Sequence, residues 1–98
     1  MARGMLIIPT TNEQVSETIN RVESTLIDRL GGYTKNKGEG AWDDGERVIE
    51  EDNRVIFGSH PDRDTVKDTF ELCAGIVKEE LDEDVVMVEY TESEVEMI

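Results

Sequence analysis

The sequence predicts a single α+β domain in which two helices cover one face of a four-stranded antiparallel sheet, in the order strand, helix, strand, strand, helix, strand. Three observations lead there. Two apolar stripes at helical spacing are each flanked by short runs of β-forming residues. Between them lies a long segment without helical period, rich in Gly, Trp, Val and Ile, with a turn signal in its middle. The length of 98 residues suits one layer of sheet against one layer of helix, and leaves no room for a second domain.

Met5-Leu6-Ile7-Ile8, ended by Pro9, is an apolar run without alternation, as expected of a central strand. Thr10, Thr11 and Asn12 then offer helix caps. Val15, Ile19, Val22, Leu26 and Leu30 recur at steps of three and four, with Ile27 beside them, and predict an amphipathic helix closed by Gly31-Gly32. Residues 33–57 read as a hairpin with arms 33–42 and 46–57 around Asp43-Asp44-Gly45. The second arm is long, and Glu51-Asp52-Asn53 is expected to bulge or split it. Gly58-Ser59-His60-Pro61-Asp62 reads as a loop into the second helix, where Pro61 or Asp62 suits the first turn. Val66, Phe70, Cys73, Val77 and Leu81 form that helix's stripe, with Ile76 beside it. Residues 85–90 have strong strand propensity. Residues 91–98 are acidic, but Val95, Met97 and Ile98 make them an extra strand or a pairing tail. Right-handed crossovers give the sheet order 4-1-3-2, with the apolar first and third strands central.

The chain carries 24 acids against 10 bases, a net charge of −14. Residues 61–98 alone hold thirteen acids and three bases. Non-specific binding to nucleic-acid phosphates is therefore not expected. Three explanations of the acidity compete: a generically soluble surface, a high-salt (halophilic) cytoplasm, or an acidic face made for a basic partner or mimicking nucleic acid. The four lysines fit the second; the uneven placement speaks against it. The single cysteine, Cys73, excludes an intrachain disulfide and reads as a small buried hydrophobe. No run is long enough to span a membrane, and residues 5–9 are too short for a signal-peptide core, so a cytoplasmic location and no membrane partner are expected.

Residues 31–42, with four glycines and the only tryptophan, are the most specific-looking stretch. They match neither a Walker loop nor a dinucleotide fingerprint, because they enter a strand and not a helix. No cofactor is expected. Glycine inside a strand implies close approach of a ligand, a neighbouring chain, or a strong twist. Four of the ten bases, Lys35, Lys37, Arg47 and Arg54, lie on the hairpin. With Tyr33 and Trp42 they suggest a ligand surface at Tyr33, Lys35, Trp42, Arg47 and Arg54, where rings stack on bases and cations meet phosphates. The competing reading is cross-strand pairing with Glu39, Glu46 and Glu50. Asp43-Asp44-Gly45-Glu46 lacks the spacing of a calcium loop and reads as a turn, so no metal ligand is assigned. Five acids in residues 79–84 crowd a helix C-terminus, against the helix dipole. His60 and Glu50 are the candidates if the chain is a small enzyme, but neither has a paired nucleophile, and no catalytic residue is assigned.

Gly32-Tyr33-Thr34, Gly38-x-Gly40-x-Trp42, Gly45 and Glu50 resemble a pattern found in small proteins of unknown function from phages, archaeal viruses and bacterial mobile elements. Those proteins begin with an Ile-Pro-Thr-like strand and carry a Gly-Gly-x-Thr…Gly-x-Trp…Glu hairpin. The resemblance implies a ferredoxin-like fold and a viral or accessory origin, with the host cytoplasm as location. It transfers no catalytic role, and this chain departs from the pattern in its acidic second half. The expected function is a non-enzymatic binding protein, with counter-defence as one such role. It would hold a small anionic, nucleotide-like ligand or a protein partner on its hairpin. The alternatives are a small Glu/His enzyme and an acidic protein that blocks a basic partner through residues 79–96. The open edges and the apolar tail predict a homodimer.

Overall fold

The computed structural model describes all of residues 1–98. Strand β1 (Ala2–Pro9) leads into helix α1 (Val15–Leu30), the hairpin β2 (Thr34–Asp43) and β3 (Val48–His60), helix α2 (Arg63–Leu81) and strand β4 (Val88–Glu92). The sheet order β2-β3-β1-β4 is the predicted one, and every pair is antiparallel. The fold is a ferredoxin-like α+β sandwich.

The core lies between the helices and one face of the sheet. Leu6, Ile8 and Ile56 point into it from β1 and β3, Val22 and Leu26 from α1, and Val66, Phe70, Cys73 and Val77 from α2. All of these are essentially inaccessible to solvent. Phe70 shows why glycines stand where they do. Gly4 and Gly58 are register partners in the two central strands. A Cβ on Gly4 would come within 2.4 Å of the Phe70 ring, and one on Gly58 within 2.8 Å of Leu30 Cδ1. The paired glycines thus form the floor on which Phe70 lies, with Tyr90 edge-on at 6.5 Å.

Three expectations require correction. Gly58, Ser59 and His60 belong to β3, not to a loop, because β1 begins at Ala2 and supplies ladder partners through His60. Glu51-Asp52-Asn53 neither bulges nor splits β3: the register with β2 is continuous from Thr34↔Phe57 to Asp43↔Val48. The last strand starts at Val88, and only Thr91 and Glu92 of the tail join it.

Helix ends follow local chemistry. Gly31 takes the left-handed conformation (φ 83°), and its N–H donates to the Ile27 carbonyl. The Asp62 side chain accepts from the Asp64 N–H and caps α2. The hairpin turn is held by Asp43, whose Oδ1 accepts from Gly45, and by Asp44, whose Oδ1 accepts from Glu46 and Arg47. Beyond Pro9 the β2–β3 hairpin runs on alone for five rungs. At about 3.3 Å per residue that is an arm of roughly 17 Å, and it accounts for the elongated shape, 45 Å along its longest axis.

Candidate functional site

Strand alternation decides where each predicted ligand residue goes. Lys35 and Arg54 face the helices, since their rungs place them beside Ile56 and opposite Lys37. Trp42 faces the uncovered side of the sheet, opposite Ile49, and is 52% exposed. Arg47 lies in the turn, where its backbone is tied to Asp44. Trp42's rung is five residues from Arg54 along β3, about 17 Å away and on the other face. The five residues therefore do not form one surface.

The structure does bring Tyr33, Lys35 and Arg54 together, around an acid that no sequence motif marks. Glu23 of α1 is nearly buried, and Lys35 Nζ lies 2.9 Å from its Oε2. Burial pushes the Glu23 carboxyl up, but hydrogen bonds from Tyr33 and Lys35, with the charges of Lys35 and Arg54, outweigh it and hold it below the usual carboxylate range. The same hydrogen bond to Glu23 raises the Tyr33 phenol. Lys35 is thus tied to an internal acid, and Arg54 acts on the same acid through its charge alone. Glu23 lies on the helix stripe's flank, one residue after Val22, and only that position hinted at burial. The alternative pairing with Glu39, Glu46 and Glu50 is not found either; the ion pairs join Lys35 to Glu23, Arg21 to Glu17 and Glu80, and Arg63 to Glu92.

The Gly38-x-Gly40 motif has a clear structural explanation. Asn53 is Gly38's register partner and only 9% exposed. A Cβ on Gly38 would stand 2.5 Å from Asn53 Oδ1, and one on Gly40 3.2 Å from Asn53 Nδ2. The amide lies flat across both glycines on the uncovered face. Its Oδ1 is buried without a hydrogen-bond partner, as is Arg54 Nε.

Of the recesses along the hairpin, two are bordered by residues singled out from the sequence. One, of about 620 Å³, is lined by Thr10, Lys37, Gly38, Glu39, Asp52, Asn53 and Arg54, with no apolar side chain. The other, of about 670 Å³, lies where α1 ends against the sheet. It combines the rings of Tyr33 and Phe57, the polar side chains of Thr34, Asn36 and Ser59, the Gly31-Gly32 backbone, and Arg3, with Val95 of the tail at its rim. Arg3 Cζ sits 4.2 Å from the Phe57 ring centre. No carboxylate or imidazole lines this second recess. Arg3, Phe57 and Ser59 carried no motif and were missed; their common face follows from β1–β3 pairing alone.

The other candidates are accounted for by local structure. His60 Nδ1 accepts the Asp62 N–H at 3.0 Å and shapes the approach to α2. Glu50 is exposed on the arm, opposite Ala41. Among the terminal acids of α2, Glu80 is held by Arg21 and by the Thr18 hydroxyl. No group of three or more His, Cys, Asp or Glu side chains is arranged to hold a metal ion. No helix is long and apolar enough to cross a membrane.

Fold and sites define a ferredoxin-like domain with a recess at the sheet–helix junction. Neither a protein-family profile nor a curated sequence matches the chain. Solved structures do match in shape. The divalent cation tolerance protein CutA1 from Thermus thermophilus superposes with a TM-score of 0.73 at 8% identity, over 99% of this chain and 88% of that one. CutA from Xylella fastidiosa gives 0.73 at 5% identity, over 98% and 86%. A phage SAM lyase in complex with S-methyl-5'-thioadenosine gives 0.68 at 10% identity, over 93% and 80%. At such identities the likeness establishes the fold alone.

Proposed function

We propose that this chain is a non-enzymatic viral or accessory protein of the cytoplasm that binds a small anionic, nucleotide-like ligand, and works as a homodimer. The carrying observation is the recess at Arg3, Tyr33 and Phe57, where two rings, three neutral polar side chains and a cation border one space of nucleotide size. A base stacks on a ring, ribose hydroxyls meet Asn36 and Ser59, and a phosphate meets Arg3. Of the five residues expected from sequence, this site keeps Tyr33, which also hydrogen-bonds Glu23; Lys35 pairs with Glu23, Arg54 reaches it by charge alone, and Trp42 and Arg47 lie elsewhere. A phage protein of the same fold that holds S-methyl-5'-thioadenosine supports a nucleoside-sized ligand and a viral setting.

One stacked base contributes about 1–3 kcal/mol and one charge-assisted hydrogen bond about 1.5–3 kcal/mol. After the cost of immobilising the ligand, binding is micromolar or weaker. Adenosine 5'-monophosphate titrated into ¹⁵N-labelled protein should shift the amides of Gly31, Gly32, Tyr33, Asn36 and Ser59, and Arg3→Ala should weaken that response. Trp42 emission is not the reporter, because its rung lies eight residues from Thr34 along β2. Shifts confined to Lys37 and Arg54, or none at any nucleotide concentration, would remove this reading.

A further inference from the structure

The two faces of the sheet have very different amounts of cover. Both helices pack on the face of Leu6 and Ile56, and the other carries no helix or strand over it, only Val95 of the tail at one end. By register, the uncovered face presents 17 strand residues, of which three are charged: Arg3, Glu51 and Glu89. In the whole chain 35% of residues are charged and the net charge is −14. The uncovered face sums to only −1. Its centre is Met5, Ile7, Val55 and Phe57 from the two central strands, with the flat amide of Asn53 beside them and Trp42 out on the arm. Depletion of charge at the centre of a face, with aromatic residues and Met present, is the composition of an interface core.

We propose that a second copy of this chain covers this face, packing sheet against sheet. Three arguments select that occupant. A basic partner would be drawn to residues 61–98, which carry thirteen acids, and not to the one nearly neutral face. A copy of this chain brings an equally charge-poor face, so two such faces meet without the repulsion that the acidic remainder of the surface would impose, in the two-fold arrangement commonest among homo-oligomers. The size also fits. The 36 strand residues, at about 3.3 Å along and about 4.8 Å across each strand, make roughly 570 Å² per copy, close to the ~600 Å² per partner at the low end of stable interfaces. The alternative meeting places are weaker. β4 has five residues, and β2 carries Lys35 and Lys37, the residue type that discourages edge pairing.

This proposal locates the contact for the dimer proposed above; Arg3, Thr34, Asn36, Phe57 and Ser59 of the recess lie on the same face, so the second copy borders the recess, and the contact itself is tested without nucleotide. Sedimentation equilibrium of the full chain, from micromolar to millimolar, should give a mass at least twice 11.1 kDa. Association should strengthen with KCl, because screening removes the repulsion between two acidic chains while leaving the apolar contact. Val55→Lys and Met5→Lys, each on the uncovered face, should return the mass to that of one chain with the circular dichroism of the parent. Should either variant misfold, Thr91→Lys with Glu89→Lys changes the same face at the short outer strand and should weaken association without touching the core. Trp42 emission should move to the red on dilution of the parent. A mass of one chain at every concentration and salt level overturns the proposal. So does a dimer that survives all the lysine variants but is lost on removal of residues 93–98 or on Lys37→Pro at the β2 edge.

Discussion

Val55 and Ile56 are neighbours in β3, yet they face opposite environments. Ile56 has no exposed surface and sits beneath both helices; Val55 is half-buried on the uncovered face. The same contrast separates Phe70, locked on the Gly4–Gly58 floor, from Phe57, which shares a recess with Arg3 and Tyr33. One set of residues holds the fold together, and the other is where we propose that the chain meets its ligand and its second copy. The comparison breaks if substitutions on the two faces cost the same.

The largest difference is expected for the two phenylalanines. Phe70→Ala should cost about 3–5 kcal/mol in urea unfolding. Phe57→Ala should cost about 1 kcal/mol or less, measured at a concentration low enough to keep the chain monomeric. Gly4→Ala should come next, at about 1–3 kcal/mol, because the added methyl meets the ring of a buried side chain. A Gly4→Ala variant as stable as the parent would show that Phe70 is not held on that floor.

These contrasts also show what the sequence could and could not reveal. Periodicity exposed the helices because Val15 to Leu30 and Val66 to Leu81 each repeat one local pattern. The sheet order followed from handedness. The true extent of β3 was hidden because Gly58, Ser59 and His60 look like loop residues; only the partnership with Ala2 to Gly4, about 55 residues earlier, makes them strand. The ligand surface failed for a related reason. Tyr33, Lys35, Trp42, Arg47 and Arg54 are close along the hairpin, but alternation divides them between faces and the arm carries the last rungs away. Glu23, which holds Tyr33 and Lys35 and feels the charge of Arg54, lies on another element. Arg3 and Phe57 were invisible for want of a motif, since what joins them is strand register.

The next largest effect concerns Cys73. Burial pushes its thiol up to about 11, although the charge of Arg29 pulls slightly the other way. The folded chain therefore keeps its proton where the unfolded chain, near 9, has lost it. Stability is intact below pH 9 and falls as pH rises toward 11, by about 1–2 kcal/mol near pH 10 on this group alone. Cys73→Ala should flatten that alkaline slope even though it lowers stability at neutral pH. A thiol reagent should label Cys73 only as fast as the chain unfolds; rapid labelling of folded protein would contradict its burial.

On the uncovered face, Gly38→Ala should cost about 1 kcal/mol, since the new Cβ displaces the end of the Asn53 side chain and not backbone. In Gly38→Ala with Asn53→Ala the penalty should largely disappear. A double variant that adds the two single costs would mean that the amide and the glycines are not coupled.

The smallest effect comes from the acids and is read with salt and pH together. Only Glu17, Glu23, Glu80 and Glu92 lie within 4 Å of a cation, out of 24 acids. The rest repel one another. Glu83 shows it: burial first, and then the charges of Glu51, Asp84 and Asp82, push its carboxyl above the usual range. A carboxyl raised by folding favours the folded state while protonated, so this contribution is complete below the unfolded value and is lost as pH rises through the folded one. Glu80 has the opposite sign: Arg21 holds it below the usual range, and its contribution is present at neutral pH and lost as acid protonates it. Salt at 1 M, with screening beyond about 3 Å, removes most of the long-range repulsion and spares the 2.6 Å contact between Arg21 and Glu80. The melting temperature should therefore rise by several degrees from low salt to 1 M KCl, roughly the 4–8 °C that 1 kcal/mol is worth in a domain of this size. Glu83→Gln should raise it at low salt and reduce the further gain from KCl. If the melting temperature stays flat while Glu83→Gln changes nothing, the acids are neutralised in some other way, and the acidic half of the chain is covered in solution.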